Sequence, residues 1–226
     1  MKASDFLFEG LNTPVIVVDV QPEYSGIHDG DENPVFEEII RFVNRQTGPV
    51  LMFVNAEDAG MSGDTVADIK LYWEHTIQPP QDEDDWDEDD ERQPDSPPLI
   101  NWNRFTIVDK GYGWLRPPMD QGVKPAVIIR VIREMYRQRV ADSRHLFGGE
   151  DDPAYRESME RLVGAQDLEI FLTDPIYTEW TSIAQLKRFS GAYIVGGGRN
   201  ECLREVELLM NAFNIPYKRI DKLVYG

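Results

Sequence analysis

The chain has 226 residues and a mass of 26.0 kDa, is 41% hydrophobic, and has a mean hydropathy of −0.45. It is long enough for one sizeable domain burying roughly 70% of its unfolded surface, and too apolar to stay disordered. A single cysteine excludes an internal disulfide and a multi-thiolate zinc site, and a net charge of −18 with a pI near 4.5 makes nucleic acid and anionic membranes poor partners.

The longest apolar runs, Val15–Val18 and Val50–Val54, fall far short of the ~20 residues that cross a bilayer. The opening MKASDFLFEGLNTP lacks the apolar core of a secretory leader, so the expected compartment is the cytoplasm. Val15–Val18 is apolar on both faces and reads as a buried parallel strand. Asn33-Pro34 then opens a helix whose stripe is Val35, Phe36, Ile39, Ile40 and Val43, and Gly48-Pro49 ends it. With Val50–Val54 as the next strand, this is a βαβ unit. Between Asp82 and Asp95, ten acids face Arg92 alone, a net −9 that is half the total excess. Flanked by Pro79-Pro80 and Pro97-Pro98, the stretch reads as a solvated acidic loop over about 78–98. Phe105–Val108 is a third strand. Helices are expected over Ala126–Arg139 and Pro153–Val163, a short strand over Leu168–Leu172, and a helix through Ile183–Leu186. Ala192–Val195 is a strand running into Gly196-Gly197-Gly198, followed by a helix from Asn200 to about Phe213 and a last strand, Tyr217–Val224. The pattern predicts a three-layer, doubly wound α/β fold with a mainly parallel central sheet.

In open α/β sheets, working residues lie just past the carboxyl ends of the strands. Three such ends carry candidates: Asp19 after the first, Lys110 after the third, and the triple glycine leading to Cys202. Cys202 falls in the first turn of a helix capped by Asn200, where unpaired N–H groups and the helix dipole favour a thiolate. The glycines allow amide N–H groups to turn towards a developing oxyanion. They match phosphate-binding loops poorly: Glu201 stands where a dinucleotide fingerprint has its third glycine, and Gly-Lys-Ser/Thr occurs nowhere. His28, His75 and His145 lie in separate segments without metal-ligand spacing.

Together, these strand ends resemble the isochorismatase-like cysteine hydrolases, the family that includes nicotinamidases. The matching features are Val18-Asp19-Val20-Gln21-Pro22-Glu23-Tyr24, Lys110 followed by Tyr112 and Trp114, and Gly196 to Cys202, in the family's order of Asp, Lys, Cys. Arg199-Asn200 replaces the family's Thr-Asp, and the histidine-bearing metal motif of nicotinamidases is absent after the second strand. Lys110 and Cys202 stand 92 positions apart, so about 115–175 reads as a helical insertion in a single domain spanning 1–226.

The resemblance implies a cofactor-free, metal-free hydrolase cleaving a C–N bond of a small molecule. Asp19 would be base and acid, Lys110 would support the thiolate, and Cys202 would be the nucleophile. Gly198 and Cys202 N–H groups would form the oxyanion hole, with a non-proline cis peptide at Gly197-Gly198. Gln21, Tyr112, Trp114 and Arg199 are the expected substrate-binding residues. The competing expectation is a non-catalytic binding or scaffold protein that keeps this fold. Self-association into a homo-oligomer is also expected, because the helices of the insertion have apolar faces to bury.

Overall fold

The computed structural model describes residues 10–24, 34–55, 65–77, 100–109, 115–142, 153–173 and 184–226. The acidic loop lies outside these residues. Five strands, β1 (Val15–Val18), β2 (Val50–Val54), β3 (Phe105–Asp109), β4 (Ala192–Gly196) and β5 (Tyr217–Val224), form one sheet in the order β3-β2-β1-β4-β5. Every pairing is parallel. β1 is central and fully buried, which explains why its sequence shows no alternation of polar and apolar residues.

Alternation along the strands feeds two cores. Val15, Val17, Val50, Met52 and Val195 face α1 (Pro34–Arg45) and α2 (Thr65–Thr76), whose Phe36, Ile39, Ile40, Ile69 and Trp73 are buried against them. Ile16, Val18, Leu51, Phe53 and Ile194 face the opposite layer. That layer comprises α3 (Arg116–Asp120), α4 (Pro125–Asp142), α5 (Pro153–Leu162), α6 (Ala165–Thr173) and α7 (Cys202–Ala212). α2 went unread in the sequence because Leu71, half exposed, interrupts the stripe of Ile69, Tyr72 and Trp73.

The segment 165–173 is a correction. Leu168–Leu172 is part of α6, not a strand. A strand would send Phe171 to the face opposite Leu168 and Leu172. The helical spacing i, i+3, i+4 instead gathers all three into one core. Asp167 in the first turn suits the positive end of the helix, and the Tyr155 hydroxyl donates to the Phe171 carbonyl in the last turn (2.8 Å).

α7 is held from several sides. Its C-terminus closes through Ile215 N–H to the Met210 carbonyl (2.9 Å) and Asn214 N–H to the Asn211 carbonyl (3.3 Å), with Asn214 left-handed at φ +53°. Arg133 of α4 donates to the carbonyls of Ala212 and Asn211, a cation at the negative end of the helix. Buried Glu207 pairs with Arg204 (2.8 Å) and with Arg219 of β5 (3.3 Å), joining helix to edge strand.

The apolar faces that suggested self-association are covered within the chain: Ile128, Val131, Ile132 and Met135 of α4 and Tyr155 and Met159 of α5 lie in the same core as the sheet. They do not call for a second subunit. Ile132→Ala should therefore cost about 2–5 kcal/mol in denaturant unfolding while leaving the mass in light scattering unchanged. A change of mass without loss of stability would show that this face is an interface.

Candidate active site at the sheet's switch point

The chain fills the sheet from β1 outward through β2 to β3, then returns to the other side of β1 with β4. The reversal lies between β1 and β4, where open α/β sheets form a crevice at the carboxyl ends of their strands. Asp19 follows β1 and the triple glycine follows β4, so two of the three sequence-predicted features border that point. β3, which leads to Lys110, ends on the same edge but two strand spacings, about 10 Å, from β1. Lys110, Tyr112 and Trp114 lie outside the described residues.

Asp19 is 3% exposed and adopts a left-handed backbone, φ +52°, unusual for a residue other than glycine. Its segment is tied from β2, from α2 and from the residue after β5. Asp19 N–H donates to the Phe53 carbonyl of β2 (2.9 Å), and the Tyr225 hydroxyl donates to the Asp19 carbonyl. Trp73 of α2 donates to the Val20 carbonyl (2.9 Å). Gln21 clamps β2: its Oε1 accepts from Asn55 N–H (2.8 Å), and its Nε2 donates to the Asn55 carbonyl (3.1 Å) and to Glu23 (3.1 Å). Fully buried and spent on these bonds, Gln21 differs from the expected substrate-binding residue; it bridges strand ends. The turn at Pro22–Tyr24 swings the Tyr24 hydroxyl to Asn55 (3.4 Å).

The glycine loop is built on close approach. Gly196 has φ +111°, and a Cβ there would overlap the Val18 carbonyl. Gly197 N–H donates to that carbonyl (3.0 Å), and a Cβ on Gly197 would collide with the Tyr225 ring. The expected cis peptide at Gly197-Gly198 is a correction, since all described peptide bonds are trans. The loop turns through torsions open to glycine, at Gly196 and at Gly198 (φ +22°). The Gly198 carbonyl then accepts from Glu201 and Leu203 N–H groups, closing the turn into α7.

The cap of α7 is a second correction. Glu201, not Asn200, is the cap residue, which makes Cys202 the first helical position. No side chain caps this end; Glu201 instead pairs with Arg116 (2.8 Å) and packs on Gly198. Cys202 is partly buried, at the positive end of an 11-residue helix. Arg199, expected to bind substrate, pairs loosely with Asp221 of β5 (3.7 Å).

Two further groups were not singled out in the sequence. Glu205, fully buried one turn beyond Cys202, accepts from Leu115 N–H (2.8 Å) and so joins α7 to the chain that follows Lys110. It was hidden because an acid on a helix reads as its solvent face, and α7 is buried nearly all round. Tyr225 follows β5 as Asp19 follows β1, and that position was its only signal. Burial holds the Tyr225 phenol well above its usual range, and the negative charges of Asp19 and Cys202 push it further in that direction. Among the described residues, no three His, Cys, Asp or Glu side chains gather as a metal would require. No described helix is long and apolar enough to cross a membrane.

Gly196→Ala should lose about 1–3 kcal/mol from backbone strain alone, seen as a Tm lowered by several degrees. An unchanged Tm would refute the close contact. Because folding raises the Tyr225 pKa, its contribution is complete below about pH 10 and declines as pH rises above that value, where the unfolded chain ionises first. Urea unfolding of Tyr225→Phe should accordingly show a shallower loss of stability between pH 9 and 11 than the wild type. No family model, curated protein or solved structure matches this chain.

Proposed function

We propose that this protein is a cysteine hydrolase that cleaves an amide-type C–N bond of a small molecule through Asp19, Lys110 and Cys202. The observation that supports it most is the approach of Asp19 and the Gly196–Cys202 loop at the switch point of the sheet. A structural role for each residue alone would not require them to border one crevice.

In this reading the Asp19 carboxylate takes the Cys202 proton, and the thiolate adds to the substrate's carbonyl carbon. The N–H groups of Gly198 and Cys202 receive the oxyanion, and the dipole of α7 adds to its stabilisation. Asp19 returns its proton to the departing nitrogen as the C–N bond breaks, leaving a thioester. It then takes a proton from water, whose oxygen adds to the same carbon. Cleavage of the C–S bond, with the Asp19 proton passing to sulfur, releases the acid and regenerates the thiol. Lys110 supplies the positive charge that supports the thiolate. No cofactor or metal enters these steps.

Iodoacetamide labelling supplies the first test. Cys202 should alkylate quickly below pH 7 in the folded protein. Slow labelling at every pH until the chain unfolds would favour a non-catalytic binding or scaffold role. Activity comes next, against a panel of amides, ureides and N-carbamoyl compounds. On any substrate found, Cys202→Ala should lower kcat by about 10³-fold or more and Asp19→Asn by about 10²–10⁴-fold. Full activity in Cys202→Ala would eliminate the mechanism.

A further inference from the structure

We infer that Tyr225 is a positioning residue for the proposed site, its hydroxyl holding Asp19 left-handed and its ring backing the glycine loop that leads to Cys202. The inference rests on the hydrolase reading. Three groups of this one residue reach both halves of the site. The hydroxyl donates to the Asp19 main-chain carbonyl. Tyr225 N–H donates to the Gly196 carbonyl (3.2 Å), and its own carbonyl accepts from Arg199 N–H (3.1 Å). Between them, the ring covers Gly197 where a Cβ would sit and packs against Phe36 of α1 at 4.7 Å between centroids.

The physical need is clear at Asp19. A left-handed conformation is uncommon for a residue other than glycine, and it persists where neighbours over-determine it. The Phe53 carbonyl holds the N–H side of Asp19 and Tyr225 holds its carbonyl side. Removing the hydroxyl leaves a buried carbonyl without that donor, so the backbone relaxes and, in the hydrolase reading, the carboxylate withdraws from Cys202. A carboxylate beside a thiol disfavours the thiolate, so its withdrawal makes the thiol more acidic. The same movement takes the base away from the proton it must move.

The test is the pH midpoint of Cys202 alkylation by iodoacetamide, which needs no substrate. Asp19→Asn should lower the midpoint by removing the carboxylate. Tyr225→Phe, which deletes one oxygen and keeps ring and backbone bonds, should lower it by about 0.5–1 unit. Combined with Asp19→Asn, it should add no further shift. Phe36→Leu, which disturbs the ring's packing and spares the hydroxyl bond, should reduce stability and leave the midpoint in place. On an identified substrate, Tyr225→Phe should lower kcat about 10-fold or more with little change in KM. A wild-type midpoint in Tyr225→Phe, an equal shift in the Asp19→Asn background, or an equal shift in Phe36→Leu would each overturn the positioning role while leaving the hydrolase reading intact. If wild-type Cys202 has no alkylation midpoint below its unfolded value, the hydrolase reading falls and the inference falls with it.

Discussion

β4 approaches the end of β1 more closely than any side chain would allow. At Gly196 and Gly197 the backbone of one strand lies against the Val18 carbonyl of the other, with a hydrogen bond of 3.0 Å and no room for a Cβ. The consequences spread from this contact. The chain leaves the sheet early enough for Glu201 to cap α7, and α7 then descends over the core formed by Ile16, Val18 and Ile194. Tyr225 can fold over Gly197 and reach Asp19 only because Gly197 presents no side chain.

The site is consequently stiff on the side the structure describes. Asp19 and Gln21 are bonded to β2 and the residue after it, and Val20 to α2, so these bonds come from elements distant in the chain rather than from local neighbours. Such a segment keeps little conformational freedom of its own. Gln21 and Tyr24 belong to this support: the spacing Asp-x-Gln-x-acid-aromatic folds Glu23 back onto Gln21 and the Tyr24 ring towards Asn55.

The electrostatics oppose one another. The amino end of α7 favours a thiolate at Cys202, whereas a carboxylate on fully buried Glu205, one turn along the same helix, disfavours it. Arg116 pairs with Glu201 at the cap, so that carboxylate is offset by a cation.

What the sequence by itself determined is the part governed by local periodicity and by residues with a single physical meaning. Continuous apolar runs placed β1 and β2, the i, i+3, i+4 stripes placed α1 and α4, and three consecutive glycines marked the turn after β4. Asp19 and Cys202 were legible for the same reason, since each directly follows such a signal. Tertiary structure decided the rest. Leu168–Leu172 fits both a strand and a helix as a string, and only the shared core of Leu168, Phe171 and Leu172 selected α6. The left-handed turn of Asp19, the commitment of Gln21 to β2, the burial of Glu205 and the reach of Tyr225 across 206 positions all depend on partners distant in the chain. Periodicity reports which face of an element is buried; the group that meets a polar atom on that face is set by how the elements pack.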